Sequence, residues 1–303
     1  GMYRREDQVD DLLLRSRALA RSWPEGVLRG RSAALLWGDD SVPGDALPEI
    51  WLPATRKSRP GRVYRYGSMP AWAVTQIDGL PVTTPLRTCR DLAADLPLED
   101  AVVSVERLCA VVPELPSQLR AAVDHPAGRG ARRFDEVVRA AEPRSSSQVV
   151  TRARLLLAAG GSAGFGHGHR VRLAHRSVEL PLADPAARCV VFDAAGRPTV
   201  GTADLSRHGE RLLRAGWTVI VVHTDDGLLH PVGPVLTGGS DRGADSVGGA
   251  VVAGAAAAEA AVPRAAQLLR SRWPATEVHL PESGDPRSGP AADPHGMWGG
   301  EPH

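Results

Sequence analysis

Arg188-Cys-Val-Val-Phe-Asp193 and, further on, Trp217-Thr-Val-Ile-Val-Val222 are the stretches whose reading sets the fold. A continuous apolar run of strand length has no face to offer water, so it belongs inside a parallel or mixed sheet with helices covering it. Working outward, residues Asp204 to Ala215 place Leu205, His208, Leu212 and Leu213 on one side of a helix that stops at Gly216. Upstream, His169 to Leu173 and Ser177 to Leu182 are short Val- and Leu-containing runs between turn residues, and read as strands of a hairpin or meander. Before them, Ser145-Ser146-Ser147 offers N-cap hydroxyls to a helix carrying Val149, Ala153, Leu156 and Leu157, which Gly160-Gly161 ends. Helix, strands, helix, strand in this order is an α/β pattern.

Composition limits what this fold can do. The chain has 303 residues and a net charge of +1, so nucleic-acid binding would have to come from local patches. Lys57 is the one lysine, so a nuclease site that uses lysine to orient water is excluded, because arginine keeps its proton and cannot act as a base. Cys89, Cys109 and Cys189 are odd in number and unpatterned, which suggests reduced, buried thiols. Residues 2 to 22 are highly charged and carry no signal peptide, so a cytoplasmic protein is expected. Val247 to Val262 is too short, too glycine-broken and, at Glu259, too polar to span a bilayer.

Between the front of the chain and this α/β region, apolar spacing predicts helices over Leu98 to Val111, Pro116 to Val123 and Arg133 to Ala141, with a Pro/Gly loop from Asp124 to Arg132. Glu99, Asp100, Glu106 and Arg107 are expected on a solvated helix face. Thr84-Pro85 reads as N-cap and first residue of a helix that runs to about Ala94, with Asp91 as a surface or buried-polar contact. Beyond Gly233, Gly, Ala, Pro and Ser dominate, and a mostly disordered tail is expected apart from a loose helix between Ala255 and Trp273.

Arg152-Ala-Arg-Leu-Leu-Leu, Val178-Glu-Leu-Pro-Leu-Ala, Arg188-Cys-Val-Val-Phe-Asp193 and Leu212-Leu-Arg-Ala-Gly-Trp-Thr-Val-Ile220 resemble the very-short-patch-repair-like endonuclease domains common in GC-rich bacteria. In that family the helix carries a glutamate two residues before its arginine, a strand carries an Asp, and the next strand carries Glu-Tyr-Asp. Here those positions are Val150, Glu179 and Val191-Phe192-Asp193. Valine has no lone pair for Mg²⁺, so the resemblance implies the fold with Glu179 and Asp193 as residual acids and no catalytic or metal site. Val27-Leu-Arg-Gly-Arg-Ser-Ala-Ala-Leu-Leu-Trp-Gly38 and Gly79-Leu-Pro-Val-Thr-Thr-Pro-Leu-Arg-Thr-Cys-Arg-Asp-Leu-Ala93 resemble the AbiEi-like antitoxin and transcriptional regulator family, whose members often carry such a nuclease-like domain behind them. That family's winged helix-turn-helix ends in a Gly-Val-Tyr-Arg-like strand, whereas this chain starts at Gly1-Met-Tyr-Arg4, so the DNA-reading module is expected to be missing. The resulting expectation is an α/β protein: an AbiEi-like α+β domain over 1–140, a restriction-endonuclease-like α/β domain over 141–232, and a disordered tail over 233–303.

Two basic stretches are the candidates for nucleic acid. From Trp51 to Trp72 there are Arg56, Lys57, Arg59, Arg62 and Arg65, interleaved with Tyr64 and Tyr66 and free of acids. The segment reads as a hairpin, Glu49 to Pro53 and Arg62 to Tyr66 around Arg59-Pro-Gly61, that can track phosphates while its aromatics stack on bases. An edge hairpin whose charges block strand pairing has the same sequence. Arg152 and Arg154, with Arg170 and Arg172, are expected to border the old active-site groove. Gly164-Phe-Gly-His-Gly-His169 spaces two imidazoles for a metal pair but offers no third ligand nearby, and reads as a glycine-rich loop. The function implied is a non-catalytic regulator with no cofactor, whose partners are DNA and a cognate toxin protein. The alternatives are an endonuclease with migrated acids, Glu142 with Glu179 and Asp193, or a structural remnant.

Overall fold

The computed structural model describes residues 10–57, 59–125, 130–143, 147–162, 164–173, 176–194, 209–223 and 250–281. The protein is mixed α/β. At the front, a five-stranded sheet is ordered β3 (Val63–Tyr66), β2 (Glu49–Leu52), β1 (Val27–Leu28), β5 (Leu80–Thr83), β4 (Val74–Ile77). Helices α1 (Leu12–Ser22) and α2 (Gly30–Trp37) pack against it over Leu19, Leu28, Ile50, Leu52 and Val82. Behind it, α3 (Pro85–Asp95), α4 (Leu98–Val111), α5 (Leu115–Asp124) and α6 (Ala131–Ala140) enclose a core of Leu92, Val102, Val105, Leu108, Leu119 and Phe134. Pro85 opens α3 with its fixed φ, but Thr84 caps the helix without a side-chain hydrogen bond.

The rear sheet is ordered β11 (Glu277–His279), β10 (Thr218–Val222), β9 (Cys189–Asp193), β8 (Leu182–Asp184), with β9 and β10 parallel. Strand alternation divides its apolar residues between two layers. Cys189, Val191, Ile220 and Val222 face α7 (Gln148–Ala159) and α9 (Ala250–Arg272). Val190, Val219 and Val221 face Leu212 and the separate hairpin of β6 (His169–Leu173) and β7 (Arg176–Leu180). Both faces are therefore dry, which is why the sequence of β10 is apolar throughout. Residues 209–214 form α8, within the helix expected over Asp204 to Ala215; Leu205 and His208 lie outside the described residues.

Three expectations are corrected. First, β2 and β3 pair in parallel, Glu49 with Val63 through Leu52 with Tyr66, so the segment is no hairpin. The connection from Pro53 to Arg62 is long enough to carry the chain back along the sheet edge, and the Arg59-Pro-Gly61 turn lies within it. Second, the helix expected to be loose between Ala255 and Trp273 is packed: Ala265, Leu269 and Trp273 of α9 and its C-cap are buried, and β11 after it, where no strand was expected, pairs antiparallel with β10. Small side chains allow α9 to lie close to α7, and Pro263 sits within the helix without ending it. The rest of the expected tail, 233–249 and 282–303, lies outside the described residues.

Third, the acids of α4 do not form a solvated face: Glu106 is buried, and Glu99 and Asp100 are half-buried against arginines. Glu99 and Glu106 are seven residues apart and share one helix face, over which α7 packs. Glu106 is 1 % exposed and accepts from Thr151 Oγ1, from Arg154 Nη2 at 2.8 Å and from the Glu142 backbone N–H at 2.7 Å. Glu99 pairs with Arg152 and, at 2.6 Å, with Arg272 of α9, while Arg152 also reaches Asp100 at 2.9 Å. Burial opposes charge on Glu99, but the hydrogen bonds from Arg272 and Arg152 outweigh it and hold its carboxyl below the ordinary range. Arg107 turns the other way, to Asp40 at 2.8 Å. The three cysteines are buried and unbridged, and burial pushes the Cys109 and Cys189 thiols up to about 12.

Removing one partner of a buried pair strands the other charge. Glu106→Ala should therefore lower unfolding stability by about 3–5 kcal/mol in urea denaturation. A loss under about 1 kcal/mol would mean that apolar packing alone joins α4 to α7.

Candidate functional site

The face at which the resemblance places a nuclease site is assembled by α7 lying across β9. Ser147 caps α7, accepting from the Val149 N–H at 3.1 Å and donating to Asp193 Oδ2 at 2.5 Å. Asp193 ends β9 on the strand face shared by Val191 and Cys189, so it sits at the rim of the layer beneath α7. Val150, one turn into the helix, and Val191 both belong to that layer's apolar cluster, at 2 % and 1 % exposure. The structure thus brings together three of the four positions at which the resemblance expects acids, and two of them are hydrocarbon.

Glu179 is elsewhere. It stands on β7, opposite Arg170 in the hairpin register, and pairs with it at 3.1 Å on an exposed face. Glu142 meets Arg154 at 3.6 Å and His167 at 3.9 Å. Each of Glu142, Glu179 and Asp193 thus has its own neighbours, and among the described residues no three His, Cys, Asp or Glu side chains are grouped to hold a metal.

Arg152 and Arg154, expected at the border of this face, are 9 % and 8 % exposed and turned the opposite way, onto Glu99, Asp100 and Glu106. Arg154 also donates to the Ala140 carbonyl at 2.7 Å. Their guanidinium groups are committed to protein acids and offer nothing to a phosphate. No local pattern could show this, because the acids that take them lie some fifty positions upstream, 48 residues in the case of Arg154 and Glu106.

The front patch is part buried and part free. Tyr64 packs into the sheet core with its ring edge-on to Trp23 at 6.2 Å, and Tyr66 donates its hydroxyl to the Arg56 carbonyl at 2.8 Å. Neither ring is presented as a stacking platform. Arg56 lies over Trp23 at 5.4 Å and near Glu25 at 3.7 Å, and Arg65 pairs with Asp95 at 2.9 Å. Lys57, Arg59 and Arg62 have no ion pair among the described residues; the first two are exposed and the third half-buried.

Next to the patch is a charge cluster that the sequence reading did not single out. Arg29, 2 % exposed, meets Glu49 at 2.8 Å, Asp91 at 3.3 Å and Asp95 at 2.7 Å. Burial alone would lower the Arg29 pKa, and Asp91, Glu49 and Asp95 more than reverse this. Glu49 also accepts from the Arg31 N–H at 3.1 Å, capping α2 from another strand. Gly30 makes this possible: its φ is +51°, and a Cβ there would stand 2.4 Å from Glu49 Oε2. Glycine between two arginines at a helix start was the available signal.

The two imidazoles of the glycine-rich stretch separate. His169 begins β6 and stacks against Trp217 at 5.9 Å, while His167 turns inward beneath Pro181. The chain matches no protein-family model, no curated protein and no solved structure.

If the free cations of the front patch bind a phosphate backbone, affinity for duplex DNA should fall steeply with salt, and Arg59→Ala with Arg62→Ala should flatten the log–log slope by about 2. Fluorescence anisotropy across a salt series measures both. Binding that is absent or insensitive to salt would remove the patch as an interface.

Proposed function

We propose that this chain is a non-catalytic, DNA-associated regulatory protein of the AbiEi-like antitoxin kind, in which a sheet of restriction-endonuclease type serves as a scaffold and not as an enzyme. The observation that carries this reading is the burial of Val150 and Val191 in one apolar cluster between α7 and β9. A hydrolytic Mg²⁺ needs hard oxygen donors converging on an open, wet position. At this place there are methyl groups, and water is excluded. Asp193, the acid beside them, caps Ser147 and so supports the start of α7.

The regulatory side of the proposal rests on the resemblance of the front segments together with the free cations Lys57, Arg59 and Arg62. A cognate toxin protein is the protein partner that the antitoxin resemblance implies, and the cytoplasm the compartment. Among the described residues no helix is long and apolar enough to cross a membrane.

Purified protein with Mg²⁺ or Mn²⁺ is expected to leave supercoiled plasmid intact on an agarose gel. Nicking that vanishes in Glu179→Gln would replace the scaffold with an enzyme.

A further inference from the structure

Between α5, the α6–α7 junction and the loop before β6 lies a cavity of about 410 Å³, lined by Pro116, Arg120, Ala141, Glu142, Pro143 and His167. The His167 side chain is 5 % exposed, and its Nδ1 is hydrogen-bonded to the Pro181 carbonyl. A carbonyl only accepts, so Nδ1 is the donor of that bond and Nε2 is the ring nitrogen left to face the cavity. Nε2 is buried and has no hydrogen-bond partner among the described residues. The Glu142 carboxylate faces it, with Oε2 at 3.9 Å. A buried ring nitrogen without a partner and a carboxylate thus face each other at the cavity, and a buried polar atom left unpartnered is costly.

We propose that His167 Nε2 and Glu142 Oε2 bind a divalent transition-metal ion of the Zn²⁺ class, with waters in the cavity completing its shell. An imidazole whose other nitrogen donates to a backbone carbonyl is the usual state of a metal-bound histidine, because that bond fixes the tautomer and aims the ligand. Zn–N and Zn–O bonds of about 2.0–2.2 Å need donors roughly 3.4 Å apart in a tetrahedral shell, so the pair has to close by about half an ångström. Glu142 is 40 % exposed and able to make that movement. Its other oxygen is held by Arg154 at 3.6 Å, and Arg154 is itself balanced by Glu106 at 2.8 Å. Arg120 is the remaining charge at the cavity and is exposed, so it can turn to solvent. The ion would bridge α7's approach to the β6 loop, a joint between the helical part and the rear sheet. This site does not rest on the regulatory reading, and no reaction is assigned to it.

The test is calorimetric titration of the full chain with ZnCl₂, alongside the visible d–d absorption of Co²⁺ on the same protein. One equivalent should bind, and His167→Gln and Glu142→Gln should each weaken it on the order of 10–100-fold or more. A competing donor set lies at the exposed sheet edge, where Glu277 meets His223 at 3.4 Å and His279 at 3.1 Å. His279→Asn should leave the proposed site's affinity unchanged. Glu142→Gln is a surface-accessible change that preserves shape, so far-UV circular dichroism should show a folded variant and its result stands even if His167→Gln misfolds. No uptake, or uptake untouched by Glu142→Gln, would mean that the cavity holds water alone; uptake lost only in His279→Asn would assign the metal to the edge. Either result overturns the proposal.

Discussion

The buried contact of Glu106 with Thr151 and Arg154 is the constraint from which the rest of the structure follows. It fixes α7 onto α4, and α7 is the helix that also covers the rear sheet. One side of α7 gives Val149, Val150, Ala153 and Leu157 to the sheet's core, and the other gives Thr151, Arg152 and Arg154 to the acids of α4. A buried ion pair of this kind adds little net stability over well-packed hydrocarbon, but any other placement of α7 would leave a carboxylate or guanidinium dry and unpaired. What it supplies is orientation. Arg272 extends the same logic, tying α9 to Glu99 and so closing the layer over the sheet.

A helix used on both sides has no face left for a ligand. That is why the arginines of α7 cannot serve as phosphate clamps and why position 150 is locked into apolar packing. The front half uses charge in the same way: Arg29 gathers Glu49, Asp91 and Asp95 and draws Arg65 in through Asp95. Burial opposes charge on Asp95, yet Arg29 and Arg65 hold its carboxyl below the ordinary range. Much of what counts as basic surface in the sequence is therefore internal wiring, and in the front patch the free positive charge is left to the loop carrying Lys57, Arg59 and Arg62.

Apolar residues at positions 150 and 191 suit this sheet for a simple reason. A sheet covered on both faces gains from every additional methyl group it buries, whereas carboxylates at positions 150 and 191 would have to be desolvated or balanced by a cation. Valine at both positions makes the place between α7 and β9 part of the core. Asp193, at the rim beside them, accepts from the Ser147 hydroxyl that caps α7.

The sequence by itself determined the elements whose signal is local. The apolar run of β10, the Ser147 cap of α7, the Pro85 start of α3 and the helices on either side of residues 126–129 were all legible, because periodicity and capping act within a few residues. That positions 150 and 191 are hydrocarbon was also visible, since residue identity needs no partner. Tertiary structure alone decided whatever depends on a distant partner. It made β2 and β3 parallel, buried the acids of α4 under α7, recruited α9 and β11 to the core, and set Glu142 before His167. Charge has no period, so a run of arginines reads the same whether it faces water or a carboxylate, and only the packed chain determines which.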